Sequence, residues 1–346
     1  MPLDPMPQDP KEFFRTVPNA ASLQQIHDAR LDQQGVQLYL KREDLLHPTI
    51  SGNKWRKLKY NLIKAHELGH TKLLTFGGAY SNHILATAAA GARFGIRTIG
   101  IIRGEEYSPL NPVLAQAKTY GMALHYVSRA AYRHKMEPAF LEKLRGAHGE
   151  FYLLPEGGTN GLAIHGCSEI VRELQLTGLE YDVIATPCGT GGTLAGLIYG
   201  LHTYHLGSMK QALGISVLKS KVTGSSPPRH APKNVSMASQ LEDRAGNMEV
   251  SIDFLSQTVL DLLPPNLPVH WQINHDYALG GYAKITSELT AFIHHFEQTH
   301  HIALDPVYTG KMLFALYNLV KNGQILHGTK IIALLTGVNQ STIDRP

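Results

Sequence analysis

The sequence predicts an α/β protein of two open domains with mainly parallel sheets. Three observations carry that prediction. Short runs rich in β-branched and aromatic residues alternate with longer helical patterns along most of the chain. Glycine repeatedly follows the helical patterns, as at Gly69, Gly95 and Gly121, where a left-handed residue can end a helix. The length of 346 residues suits about two domains at roughly 150 residues each.

Taken in order, LYLKRED (38–44) reads as a strand and 54–68 as a helix stopped by Gly69. TKLLTFGG (71–78) is the next strand, followed by an Ala-rich helix from Asn82 to Phe94. RTIGIIRG (97–104) leads to a helix near 111–120, and ALHYVS, FYLLPEGG and YDVIATP continue the strand series. Parallel neighbours need crossover connections, and the intervening helical patterns supply them. Ser220–Asn247, clustered in Ser, Pro, Gly and charge, reads as a long surface loop, either a tolerated insertion or a lid. Beyond it come a helical stretch, the strand LPVHWQI (267–273), two helices and the strand TKIIALLTG (329–337).

Composition excludes several classes. Charged residues make up 17%, below the usual quarter or so, which excludes global disorder. The 32 Lys and Arg exceed the 28 acids by only 4, too few to imply nucleic-acid binding. Cys167 and Cys188 cannot build a disulfide framework and point to a reducing compartment. MPLDPMPQDPKEFF lacks the basic start and apolar segment of a secretory signal, and no run of 18 apolar residues offers a membrane span. The expectation is a cytoplasmic protein.

Residues 66–70 spell His-Glu-Leu-Gly-His, the zinc-peptidase pattern in which His66 and His70 bind the metal and Glu67 acts as base. Gly69 stands where the helix should stop, however, and would leave His70 outside it. The reading is therefore disfavoured, and no metal is expected. CGTGGT (188–193) lies between a strand and a helical pattern, where backbone N–H groups and the helix N-terminus can hold one phosphate. A tight turn without ligand would look the same. SGNKWRKLKY puts Lys54 at a helix start, where the dipole disfavours an ammonium and would help depress its pKa. Arg56, Lys57 and Lys59 read as an exposed basic helix face. In GGAYSNH, Ser81 and Asn82 are ordinary N-cap candidates, and that helix start could also hold a carboxylate. GGYAKIT and DPVYTGK each place a tyrosine, Tyr282 and Tyr308, in a turn before a helix.

In order along the chain, LKREDL…SGNKWRKLKY, TFGGAYSNH, LLPEGGTNGLAIHG, CGTGGTLAGL and LDPVYTGK resemble the pyridoxal-phosphate enzymes of the tryptophan-synthase-β fold type, fold type II. More narrowly, they resemble the group containing D-cysteine desulfhydrase and 1-aminocyclopropane-1-carboxylate deaminase, over roughly residues 10 to 340. The resemblance implies pyridoxal 5'-phosphate held covalently by Lys54, with its phosphate on Gly189, Thr190, Gly191, Gly192 and Thr193. It implies that Asn82 bonds the ring hydroxyl and that Ser81, Asn82 and His83 meet the substrate. Tyr282 and Tyr308 match the two active-site tyrosines, and Thr309 and Thr336 fall where the family approaches the ring nitrogen. It implies a larger cofactor-binding domain of residues 1–55 and 171–346, a smaller one of 56–170, a cofactor in the cleft and a homodimer.

The implied reaction is a lyase or deaminase step on a small amino acid. Lys54, displaced by the substrate amine, moves the Cα proton. D-Cysteine would lose its thiolate from Cβ and end as pyruvate, ammonia and sulfide. Cyclopropane deaminases resemble DPVYEGK and carry Leu before the late Gly, where this chain has Thr309 and Thr336. A carboxylate at the ring nitrogen would strengthen the electron sink, and a threonine gives only a neutral bond, so D-cysteine is favoured over the cyclopropane substrate. The chain departs from the family at Ala283, Ile285 and Val338, where Gly, Pro and Gly are more usual, and these positions bear on substrate choice. A phosphate-binding protein that keeps the fold without catalysis is a third class.

Overall fold

A computed structural model describes residues 9–16, 21–204, 209–219 and 253–337. The expected loop Ser220–Asn247 and Val338 lie outside the described residues. Contacts divide the chain into two units, with the division at 21/22, 42/43, 167/168 and 336/337. The expectation drew it at 55/56 and 170/171. The helix Asn53–Glu67 lies as one piece within the first unit, because its apolar residues pack there.

The strands are β1 (Leu23–Ile26), β2 (Gln37–Lys41), β3 (Lys72–Gly78), β4 (Arg97–Arg103), β5 (Ala123–Val127), β6 (Tyr152–Leu154), β7 (Val183–Cys188), β8 (Gln211–Ser216), β9 (His270–Asn274) and β10 (Lys330–Leu334). The first unit carries a four-stranded sheet in the order β5-β4-β3-β6, every pair parallel. β3 and β4 are buried through their middles, as parallel strands covered on both faces must be. Phe13, Phe14, Trp55, Leu58, Leu62, Ala86, Ala90 and Phe94 form one core cluster with Leu73. The Asn53 helix contributes Trp55, Leu58 and Leu62 at intervals of three and four, the spacing of one helix face.

The second unit carries six strands in the order β1-β2-β10-β7-β8-β9. Only β1 and β2 run antiparallel, and β10 lies between β2 and β7 with Lys330 opposite Gln37 and Ile331 opposite Val183. The helix Thr309–Lys321 joins this core through Met312, Leu313, Leu316, Leu319 and Val320, clustered with Leu38, Leu40, Ile331 and Ala333. Both units are thus α/β with mainly parallel sheets. Among the described residues, no helix is long and apolar enough to cross a membrane.

Candidate active site

Four of the expected site residues lie in the first unit: Lys54, Ser81, Asn82 and His83. Lys54 is the second residue of the Asn53 helix and is partly buried. Burial, and then the charge of Lys57 one turn further on, push its ammonium down to about 7. These are the dominant causes where the sequence suggested the helix dipole. A substantial share of the amine is therefore neutral and nucleophilic near pH 7. The rate at which apoprotein captures pyridoxal phosphate should rise through pH 7 and level off by about pH 8, as the neutral fraction saturates. A rate still climbing towards the ordinary lysine range would contradict this environment for Lys54; stopped-flow absorbance measures it.

The neighbouring basic residues do not form an exposed face, which corrects the sequence expectation. Arg56 is fully buried and grips Glu43 with both ends of its fork, Nε to Oε2 at 2.8 Å and an NH2 to Oε1 at 3.0 Å. Lys57 is 2% exposed and donates to the Gly157 carbonyl at 3.2 Å and Thr159 Oγ1 at 3.1 Å. The partners come from a turn thirteen residues upstream and a loop a hundred residues downstream, so no local pattern could announce them. Gly166 closes the remaining side: a Cβ there would overlap the Arg56 carbonyl group.

Ser81 caps the helix Asn82–Phe94, its Oγ accepting from Ile84 N at 3.3 Å, and Asn82 opens the first turn. His83 points inward and is 1% exposed. Thr75 spends its one hydroxyl proton on the Leu154 carbonyl at 2.9 Å. The 2.8 Å contact between Thr75 and His83 must then be a bond donated by Nε2–H. Burial and the charges of Lys54 and Lys57 hold the ring well below its ordinary pKa, so it is neutral. Its Nδ1 lone pair is buried without a partner among the described residues.

The second unit carries the glycine loop, Tyr282, Tyr308, Thr309 and Thr336. β7 ends at Cys188, and the helix Gly192–Tyr204 begins four residues later. Its first amides have no carbonyl of their own helix to bond, and its dipole favours an anion there. Gly191 holds φ +76°, and a Cβ on it would sit 2.8 Å from Val259 Cγ2, so the loop can close only on glycine. Gly189 lies against the Tyr308 ring, with 3.5 Å between its would-be Cβ and Cε1. Asp305 fixes that tyrosine by accepting from Val307 N and Tyr308 N, both at 2.8 Å. The Tyr308 and Tyr282 hydroxyls stand 3.4 Å apart with their rings edge to face.

Thr309 is fully buried, and its hydroxyl closes its own turn, accepting from Asp305 N at 3.0 Å and facing the Asp305 carbonyl at 3.4 Å. Thr336 follows β10 and is 9% exposed. Ala283, noted as a departure from the family's glycine, has φ +56°. That conformation costs a residue with a Cβ roughly 1–2 kcal/mol. Ala283→Gly should therefore stabilise the protein by about 0.5–1 kcal/mol after the unfolded-state entropy of glycine is subtracted. Urea unfolding checks this, and a destabilised variant would contradict it.

The zinc-peptidase pattern finds no shared helix face. The helix ends at Glu67, Gly69 has φ +71°, and His70 lies outside it against the Tyr152 ring. His66 faces Asp9 at 3.7 Å. Among the described residues, no group of three His, Cys, Asp or Glu is placed to hold a metal.

Each unit carries features that fit pyridoxal phosphate: the first an amine lowered to about 7 and a buried acceptor left open on His83, the second a glycine cradle at a helix N-terminus. The sequence model of the family described as pyridoxal-phosphate dependent enzyme matches residues 23–337. A mitochondrial protein of Arabidopsis thaliana, named bifunctional D-cysteine desulfhydrase/1-aminocyclopropane-1-carboxylate deaminase, is 31% identical over 88% of this chain and 72% of its own. The D-cysteine desulfhydrase of Serratia proteamaculans is 26% identical over 88% of each chain. A solved structure described as an ACC deaminase homologue aligns with TM-score 0.71 and 26% identity over 96% of this chain and 95% of its own. A match that begins in β1 and runs to the end of the described chain takes in the sheets of both units, and the protein belongs to the pyridoxal-phosphate dependent enzymes.

Proposed function

We propose that the protein is a lyase of small amino acids that eliminates the thiolate of D-cysteine, giving pyruvate, ammonia and sulfide with uptake of one water. The observation that carries this is the partly buried Lys54 amine at the start of the Asn53 helix, lowered to about 7. Bound pyridoxal phosphate supplies an electron sink for negative charge at the substrate Cα. Lys54 holds the cofactor and, once released, takes the Cα proton as general base. The Gly189–Thr193 amides receive the phosphate, and Asn82 bonds the ring hydroxyl. Ser81, with the helix start behind it and His83 beside it, receives the substrate carboxylate. Tyr308, with Tyr282 at hydrogen-bond range, gives a proton to the departing sulfur. Thr336 serves the ring nitrogen as a neutral partner. Thr309, whose hydroxyl is engaged by Asp305, shapes the turn that carries Tyr308.

The absence of a carboxylate at position 309 supports loss of a good leaving group over opening of a carbon ring. The second reading, 1-aminocyclopropane-1-carboxylate deamination, is supported by relatives from Pyrococcus abyssi and Pyrococcus horikoshii named putative 1-aminocyclopropane-1-carboxylate deaminase, 29% and 30% identical over 88% of this chain. Purified protein should show a visible band that borohydride abolishes, and an unreduced sample should release pyruvate from D-cysteine. Release of the 2-oxo acid only from the cyclopropane amino acid would shift the reading to the second. The same proposal takes the protein as a cytoplasmic homodimer, for which light scattering on a sizing column is the check.

A further inference from the structure

Lys311 is the third residue of the helix Thr309–Lys321 and is fully buried. Among the described residues, no carboxylate pairs with it. Its ammonium instead donates to two main-chain carbonyls of another segment, Ala278 O at 2.7 Å and Gly281 O at 2.8 Å. The segment it grips is unusual. Leu279 has φ 50°, Gly280 86°, Gly281 116° and Ala283 56°, so four of five consecutive residues are left-handed around Tyr282. Two of those are not glycine and would relax if nothing held them. The cation that holds the segment starts one turn beyond Tyr308, on the helix that Tyr308 caps.

We propose that Lys311 is a positioning residue for the active-site tyrosines: it clasps the 278–281 turn to the Tyr308 helix and so sets the Tyr282 hydroxyl against that of Tyr308. The two charge-assisted bonds replace the water that buried carbonyls would otherwise need. The strained backbone is the part that a side chain without donors could not hold. Burial pushes the ammonium down to about 8, which leaves it mostly charged at neutral pH. The inference rests on the proposed role of Tyr282 and Tyr308 at the leaving group.

The test compares holoenzymes carrying Lys311→Met, which fills the same space without donors, and Lys311→Gln, which keeps two N–H donors. Backbone hydrogen exchange read by mass spectrometry should quicken about tenfold or more over 278–284 in the Met variant, with the Asn53–Glu67 and Gly189–Thr193 peptides unchanged. Pyruvate release from D-cysteine should fall about tenfold in kcat with little change in KM, and the Gln variant should recover part of it. On a Tyr282→Phe background, the Met substitution should cost less than about twofold, because both changes remove the same placement. Unchanged exchange at 278–284, exchange raised throughout the unit, or an additive double mutant would each overturn the inference. If the Met variant does not fold, the exchange of the Gln variant decides alone, wild-type protection again overturning the inference. A Tyr282→Phe enzyme with full activity would remove the tyrosine's catalytic role, while the exchange result would still decide whether Lys311 holds the turn. If only the cyclopropane amino acid is turned over, the same cycle is run with it.

Discussion

Lys54→Ala should lower turnover by about a thousandfold or more, since on the proposed roles it removes both the covalent attachment and the base for the Cα proton. Lys54 is one of three basic residues, with Arg56 and Lys57, among the first five of the helix, and the structure separates their duties. Arg56 and Lys57 are committed to Glu43, to the Gly157 carbonyl and to Thr159. Lys54, with its amine held near neutrality, is the one whose chemistry is left for a carbonyl compound. The variant should still bind pyridoxal phosphate through its phosphate, with weaker affinity and a free-aldehyde spectrum. Borohydride followed by peptide mapping should find no cofactor attached to the chain. Activity within about tenfold of wild type, or cofactor fixed at another lysine, would reassign the role.

Breaking the Glu43–Arg56 pair should cost about 3–5 kcal/mol of stability, enough to threaten folding of the first unit. Both side chains are fully buried and bonded at two points, so removing one strips two charge-assisted bonds from a charge that burial keeps from water. Arg56→Met and Glu43→Gln should each show the loss as a large fall in urea midpoint. The double variant Glu43→Gln/Arg56→Met should recover much of it, because no lone charge remains. A single variant that loses less than about 1 kcal/mol would mean the pair is solvated and the packing around it loose. The same helix turn carries Lys54, so the cost of the pair is also the cost of holding that amine still.

How far the sequence could be read depended on where each signal lay. The helix Asn82–Phe94 was legible to the residue because its cap, Ser81, and its terminator, Gly95, are adjacent to it in the chain. β1 and β8 escaped the reading. β1 has four residues and only Ile26 buried, and β8, QALGIS, has Gly214 in its interior and a single β-branched residue. Arg56 and Lys57 were read as solvated because charge at a helix surface usually is, and their partners are set by tertiary contacts. The identity of the proposed site residues came from motif order. Lys311 stood in the quoted motif VYTGK unread, since only the fold shows which carbonyls its amine reaches.

The position of β10 makes the order of synthesis matter. The four strands of the first unit all lie between residues 72 and 154, so its sheet can form while the rest of the chain is still in the ribosome. The second sheet cannot. Its third seat belongs to residues 330–334, which lie between the early β1–β2 ribbon and β7 in the sheet and are made after β7, β8 and β9. During that interval β2 and β7 each offer an open hydrogen-bonding edge, the kind of edge that recruits strands from other chains. The β1–β2 ribbon and β7 can therefore be joined in one sheet only after residues 330–334 have been made.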